Sequence, residues 1–263
     1  MLKWLGVAGW EIRAGKTVIL VDPFLSRKTE SRDREWKTDE AAVLEHVNAA
    51  NYIFAGHSHA DHIGDIPFIA KRFGSKVIGS RTTTNIVLAA GVDKERLTTI
   101  AGGEKLDFSD FSVEVVESRH GASERKGRTG TEAAREISGP LAAPILGRHF
   151  VDGGCYLYYF HFGNRRVLHQ STANFIEEKV AGLRPDVALL ASGREGYDLK
   201  SVLRAMKPKV VLIHHYDEWR VPFSQGRPRS NVTRAQRFQR SIQAIDGGIK
   251  VIVPDFFMTY TLE

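Results

Sequence analysis

Cysteine is nearly absent: Cys155 is the only one in 263 residues. An internal disulfide is therefore excluded, a reducing compartment fits, and Cys155 reads as a small buried apolar side chain. No stretch approaches the about 18 consecutive apolar residues that a membrane helix requires. No charged-then-apolar leader opens the sequence either, so neither a membrane span nor a signal peptide is expected, and the expected location is cytoplasmic. Internal repeats and low-complexity segments are missing. Nor does charge of one sign accumulate, because 37 Lys and Arg are scattered among 31 Asp and Glu. The remaining net charge of +6 mildly favours an anionic partner and leaves nucleic acid as a weaker option.

What the chain does have is His57-Ser-His-Ala-Asp-His62, three imidazoles and one carboxylate within six residues. The run follows the apolar stretch Tyr52 to Ala55, which reads as a buried strand. It precedes a segment whose Ile63, Ile66, Ile69 and Ala70 recur with helical spacing. The cluster is thus expected on a strand-to-helix loop. In extended backbone alternate side chains share a face, so His57 and His59 can converge on one ion while Asp61 and His62, past the bend, address a second. Imidazole nitrogen with carboxylate oxygen suits Zn, with Mn or Fe as alternatives.

Along the chain, residues 2–6, 9–14 and 17–24 read as strands with a hairpin turn at Gly15-Lys16, and residues 26–37 as a charged loop beside the site. A helix is predicted over 39–50, with Val43, Leu44 and Val47 inward and Thr38 or Asp39 as cap. Strands are expected at 76–80 and 111–118, and a hairpin of 155–162 with 165–171 turns about Gly163-Asn164. From Asn174 onward helices alternate with the strands 186–192 and 209–215. The last long helix, 231–245, is closed by Gly247 and Gly248 and followed by two strands. This alternation predicts an α/β sandwich. Residues 121–150 break the rhythm and are expected to form a lid or insertion over the metal edge, where Arg125, Lys126, Arg128, Arg135 and Arg148 could meet an anionic substrate.

At this point the chain resembles the metallo-β-lactamase superfamily, whose HxHxDH signature stands here as His57, His59, Asp61 and His62. The opening residues, leading through a glycine-containing strand to Asp22-Pro23, are similar to the UlaG-like branch, named for an ascorbate-phosphate lactonase. The resemblance runs from Leu2 to Leu262 and implies one domain over 1–263 with a four-layer αββα fold and metals at the open edge between two sheets. It implies that His120 completes a first site with His57 and His59. It also places His215 in a second site with Asp61 and His62. His214 and His215 are neighbours on a predicted strand and must point to opposite sides, so only one of them is expected to ligate. Asp22 is similar to the aspartate that orients a metal-binding histidine from behind.

One position departs from the superfamily pattern. Where an aspartate usually bridges two metals, Ser171 stands, and a neutral hydroxyl is a poor replacement for that carboxylate. A weaker second site, or a single metal, is therefore expected. His169, two positions earlier, could share its face as a substitute ligand. Asp217 could protonate a leaving group, while Asp61 and His215 are the expected catalytic pair.

The sequence therefore predicts a metal-dependent hydrolase that uses one or two Zn ions to activate water. A small anionic ester or lactone is the expected substrate; a phosphodiester, in nucleic acid or a phospholipid headgroup, is the alternative. A non-catalytic metal-binding module is a third reading. His46, His149 and His161 have no motif and read as structural, and Arg234, Arg237 and Arg240 as a solvated face of the last helix.

Overall fold

The computed structural model describes residues 1–28, 30–120, 135–172, 174–192, 198–226 and 229–261. The first sheet begins with the meander β1 (Leu2–Gly6), β2 (Gly9–Ala14) and β3 (Thr17–Val21). After α1 (Glu40–His46) comes β4 (Tyr52–Phe54), then α2 (Ala60–Ile63), α3 (Ile66–Phe73), β5 (Lys76–Gly79), α4 (Arg81–Ala89) and β6 (Leu97–Thr99). The second sheet holds β7 (Lys105–Asp107), β8 (Ser112–Ser118), β9 (Cys155–Phe162) and β10 (Arg165–Gln170). It continues with α5 (Glu177–Val180), β11 (Val187–Ala191), α6 (Leu199–Met206), β12 (Val210–His214), α7 (Arg229–Ile245) and β13 (Lys250–Ile252). The final strand, β14 (Thr259–Tyr260), returns to the first sheet beside β1.

Among the described residues each sheet has seven strands, ordered β14-β1-β2-β3-β4-β5-β6 and β13-β12-β11-β10-β9-β8-β7. In both, an antiparallel part gives way to a parallel part, at β3 in one and at β10 in the other. The sheets meet through Trp4, Trp10, Phe54, Phe111, Tyr158 and Phe160, with Phe54 edge-on to both Tyr158 and Phe160. Each such side chain contributes roughly 1.5–3 kcal/mol by leaving water. A second apolar layer, including Val43, Ile66, Ile69, Ile86 and Val87, seals α1, α3 and α4 against the outside of the first sheet. The expected αββα sandwich is the observed one.

Two local expectations need correction, and one helix was not expected. The first helix is shorter than 39–50: Asp39 caps it by accepting from Ala42 N–H, but Val47 is already extended, and Leu44 points outward at 44% exposure. The helix expected after the histidine cluster starts earlier, at Ala60, and breaks at Gly64-Asp65. There the buried Asp65 carboxylate accepts from Leu25 N–H, Ser26 N–H and the Ser26 hydroxyl instead of continuing a helical face. Helix α4 has no periodic signal because three threonines open it. Ser80 caps it, and the hydroxyls of Thr83 and Thr84 find partners in Ser58 and Thr99.

Of the predicted lid, 121–134 with Arg125, Lys126 and Arg128 lies outside the described residues. The remainder is tied to the first half of the chain. Ile137 N–H donates to Thr82 Oγ1, Asn85 Nδ2 donates to Ile137 O, and Trp36 N–H donates to Ile145 O. Arg148 is engaged with Asp33. His46 stacks on Phe257, and His161 faces Glu114, in line with structural roles.

Candidate metal centre

Loops at the carboxyl ends of parallel strands are where α/β folds bind ligands, and here four such loops meet. Asp22 follows β3, His57 follows β4, Ser171 follows β10 and His215 follows β12. The crossing is tight enough to require glycine at 56. A Cβ there would lie 2.2 Å from Ser171 Cβ, while Gly56 N–H donates to Asp22 Oδ1 at 2.6 Å. Gly56 O in turn accepts from Tyr156 N–H of β9, joining the two sheets at this edge.

Two groups of three side chains form. His57, His59 and His120 bring one nitrogen each to within 4.8 Å of one another, and Asp61, His62 and His215 do the same with a carboxylate oxygen and two nitrogens. His57 Nε2 and His59 Nδ1 are 3.1 Å apart. Two nitrogens held at about 2.0–2.1 Å from one tetrahedral ion are roughly 3.3 Å apart, so this pair already has the spacing of co-ligands. Asp61 Oδ2 stands 3.7 Å from both His62 Nε2 and His215 Nε2. Adjacent rings from the two groups, His57 and His62, have centroids 3.8 Å apart.

His214 and His215 face different surroundings, although only His214 lies on the strand. His214 closes β12 facing inward, where Trp10 Nε1–H donates to its Nδ1 at 2.7 Å and its Nε2 donates to Gln170 O. His215 leaves the strand through a left-handed backbone, φ 54°, and its N–H donates to Val7 O. Val7 (φ 50°) and Asp22 (φ 46°) share that unusual conformation beside it. For non-glycine residues it costs on the order of 1–3 kcal/mol each and concentrates at functional sites.

Behind the two groups lies a sealed polar layer. His62 Nδ1 donates to Asp22 Oδ2 at 3.0 Å, and Ser171 Oγ donates to the same oxygen at 2.5 Å. Ser171 Oγ is also 3.0 Å from His57 Nδ1. The serine thus sits on the Nδ1 side of both rings, away from the atoms that converge in the two groups, and is not arranged as a bridging ligand. His169 is not a substitute for one: its Nε2 donates to Ala8 O, and it belongs to neither group. Asp217 is also placed differently: both its oxygens accept from Val7 N–H and it is ion-paired with Arg27, so its side chain is engaged in holding the backbone beside the site and does not face the two groups. Arg27 lies in the charged loop 26–37, where only its place after Asp22-Pro23 hints at the site.

Burial, helped by the neighbouring imidazoles, holds His57 well below the ordinary histidine range; burial does the same to His62 against the pull of Asp61, and to His59 to a lesser degree. Neutral rings offer lone pairs, the form in which histidine binds metal. At Asp61, burial raises the carboxyl, but His62, His215 and His59 outweigh it, leaving the group below the usual carboxylate range. Burial pushes Asp22 upward against the pull of His169, the Ser171 hydroxyl and Gly56 N–H. The donor set, three imidazoles on one side and two with a carboxylate on the other, fits one or two divalent ions of the Zn, Mn or Fe type.

Residues 17–141 match the family described as "Beta-lactamase superfamily domain". The chain is thus similar in sequence to the metallo-β-lactamase superfamily over this stretch and shares its fold. A superfamily relative from Carboxydothermus hydrogenoformans, named "UPF0173 metal-dependent hydrolase", is 28% identical over 259 residues, 96% of each chain. A metallo hydrolase from the archaeon Ignicoccus hospitalis superposes with a TM-score of 0.66 at 19% identity, covering 100% of this chain and 97% of that one. CmlA of Streptomyces venezuelae, a diiron β-hydroxylase, superposes with a TM-score of 0.55 at 15% identity, over 96% of this chain and 52% of its own. The shared fold is therefore found with more than one reaction. Among the described residues no helix is long and apolar enough to cross a membrane.

Proposed function

We propose that this metal-dependent hydrolase of the superfamily uses one or two Zn ions, or Mn or Fe in their place, to attack a small anionic ester or lactone with water. The observation that carries this reading is the pair of convergent groups, with His57, His59 and His120 as one ligand set and Asp61, His62 and His215 as the other. A bound divalent ion would lower the pKa of water toward about 7 and polarise the scissile oxygen. The protein's own part is to present neutral imidazoles, to keep Asp61 ionised for ligation and for orienting the attacking water, and to hold His215 at the open side. The side chains of Asp61 and His215 are 16% and 27% exposed, so the edge stays open to a ligand.

The lactone reading rests on the resemblance to the UlaG-like branch, and the anionic one on the net charge of +6. Elemental analysis should give between one and two metals per chain, and a panel of phosphorylated and acidic lactones, small esters and phosphodiesters should show turnover confined to the first two classes. Turnover of phosphodiesters alone would replace this substrate class. Binding of metal without turnover of anything in the panel would favour a metal-binding module.

A further inference from the structure

We propose that one carboxylate, Asp22, orients a histidine of each metal group, His62 directly and His57 through Ser171 as a relay, and so links the two sites. The inference rests on the metal-binding reading above. Ser171 Oγ lies 2.5 Å from Asp22 Oδ2, 3.0 Å from His57 Nδ1 and 3.3 Å from His62 Nδ1. All four side chains are buried, so water is no competitor for these bonds.

The protons can be assigned by counting. A serine hydroxyl has one proton, and an ionised carboxylate only accepts. The short contact to Asp22 has the length of an O–H···O⁻ bond, so the serine proton goes there. Ser171 then offers His57 only lone pairs, and His57 Nδ1 must be the N–H. Asp22 Oδ2 likewise requires His62 Nδ1 to be an N–H. Both rings are thereby set in the tautomer that leaves Nε2 unprotonated, and His57 Nε2 is the atom that faces His59 Nδ1. Asp22 reaches His62 directly and His57 through the serine. A carboxylate behind a metal-binding histidine is a common arrangement; here one carboxylate serves two rings that belong to different groups.

The position tolerates little else. Because Gly56 and Ser171 are in close contact, a longer side chain at 171 has no room on the Gly56 side, and an aspartate would bring a second carboxylate against Asp22. Ser171 is thus a positioning residue and not a degraded ligand.

The test is a double-mutant cycle of Asp22→Asn and Ser171→Ala, read by calorimetric Zn titration of the metal-free protein in two backgrounds. His215→Ala reports the first site, and His120→Ala the second. Ser171→Ala should weaken the first site about tenfold or more, the lower end of the range for a lost partner behind a ligand, and the second site by less than about threefold. Asp22→Asn should weaken both, but should cost the first site nothing further once Ser171 is alanine, which is the non-additivity of a shared path. Nitrogen-15 spectra of the metal-free protein supply a readout independent of metal: His57 should be the Nδ1–H tautomer and should lose that preference in Ser171→Ala, with circular dichroism unchanged. Additive effects of the two substitutions, equal loss at both sites, or an Nε2–H tautomer at His57 in the unmodified chain would overturn the relay. Failure of the unmodified chain to bind Zn would instead overturn the metal reading, while the nitrogen-15 result would still decide the tautomer.

Discussion

Arg27 Nη1 lies 2.7 Å from Asp217 Oδ2, and the two side chains are only 2% and 0% exposed. The remaining guanidinium nitrogens donate to Glu218 O and Val221 O, and Phe223 lies against its face at 4.5 Å. Asp217 uses both oxygens on Val7 N–H, and Val7 O accepts from His215 N–H. The ion pair therefore holds, at one remove, the backbone that aims His215. Removing one partner strands a buried charge. Arg27→Met should cost about 3–5 kcal/mol, visible as a lower denaturation midpoint of the metal-free protein.

His59→Ala and Asp61→Asn should each reduce hydrolysis to the level of a metal-depleted sample while leaving circular dichroism native. Each removes one donor from a partly open edge and no core contact. A variant with full turnover and less metal would refute the water-activation mechanism.

His214 and His215 should separate cleanly. His215→Ala should lower metal content with little effect on stability. His214→Ala should leave content unchanged and cost about 1–3 kcal/mol, because the indole N–H of Trp10 and the carbonyl of Gln170 lose a buried partner. The reverse pattern would mean that the left-handed turn at His215 does not set the ligand.

Sequence pattern alone makes Ser171→Asp a restoration of a missing bridge. The geometry argues for the opposite, since the new carboxylate would meet Asp22 in a sealed pocket behind the rings. The variant should be less stable than the unmodified chain and should bind the second metal no more tightly. Thermal melts with and without Zn would show both.

Metal-free stability should fall with acid. Burial holds His57, His62 and His214 well below the ordinary histidine value of 6.5. For such groups the unfolded chain binds protons more readily, so their contribution is complete above 6.5 and declines as the pH drops below it toward the folded-state values. Asp22 and Asp65, raised by burial, act with the opposite sign at more acid pH. Urea midpoints of metal-free protein at about pH 7.5 and about pH 5.5 should show the loss. A constant midpoint would mean that these rings are not buried in neutral form.

Much of this was legible because periodicity and metal-ligand chemistry are local signals. The HSHADH run, the strand 111–118 leading toward His120 and the hairpin at Gly163-Asn164 all stand where the pattern put them. What escaped was decided by contacts distant in sequence. Helix α4 forms despite its threonines because their hydroxyls meet partners on neighbouring elements, and α2 breaks from α3 because Asp65 is drawn to the loop at Leu25 and Ser26. Asp217 looked like an acid beside the site until Arg27, 190 residues earlier, proved to be its counterion.

The contact of Gly56 with Ser171, together with the hydrogen bond from Tyr156 N–H to Gly56 O, also bears on motion. Each sheet sends a loop into the other's territory at the metal edge, with no spare volume between them. The sandwich cannot open like a book at that end without breaking the layer that sets His57 and His62. A substrate would then reach the two groups from the open side, where Asp61 and His215 are partly exposed, and not through this seam.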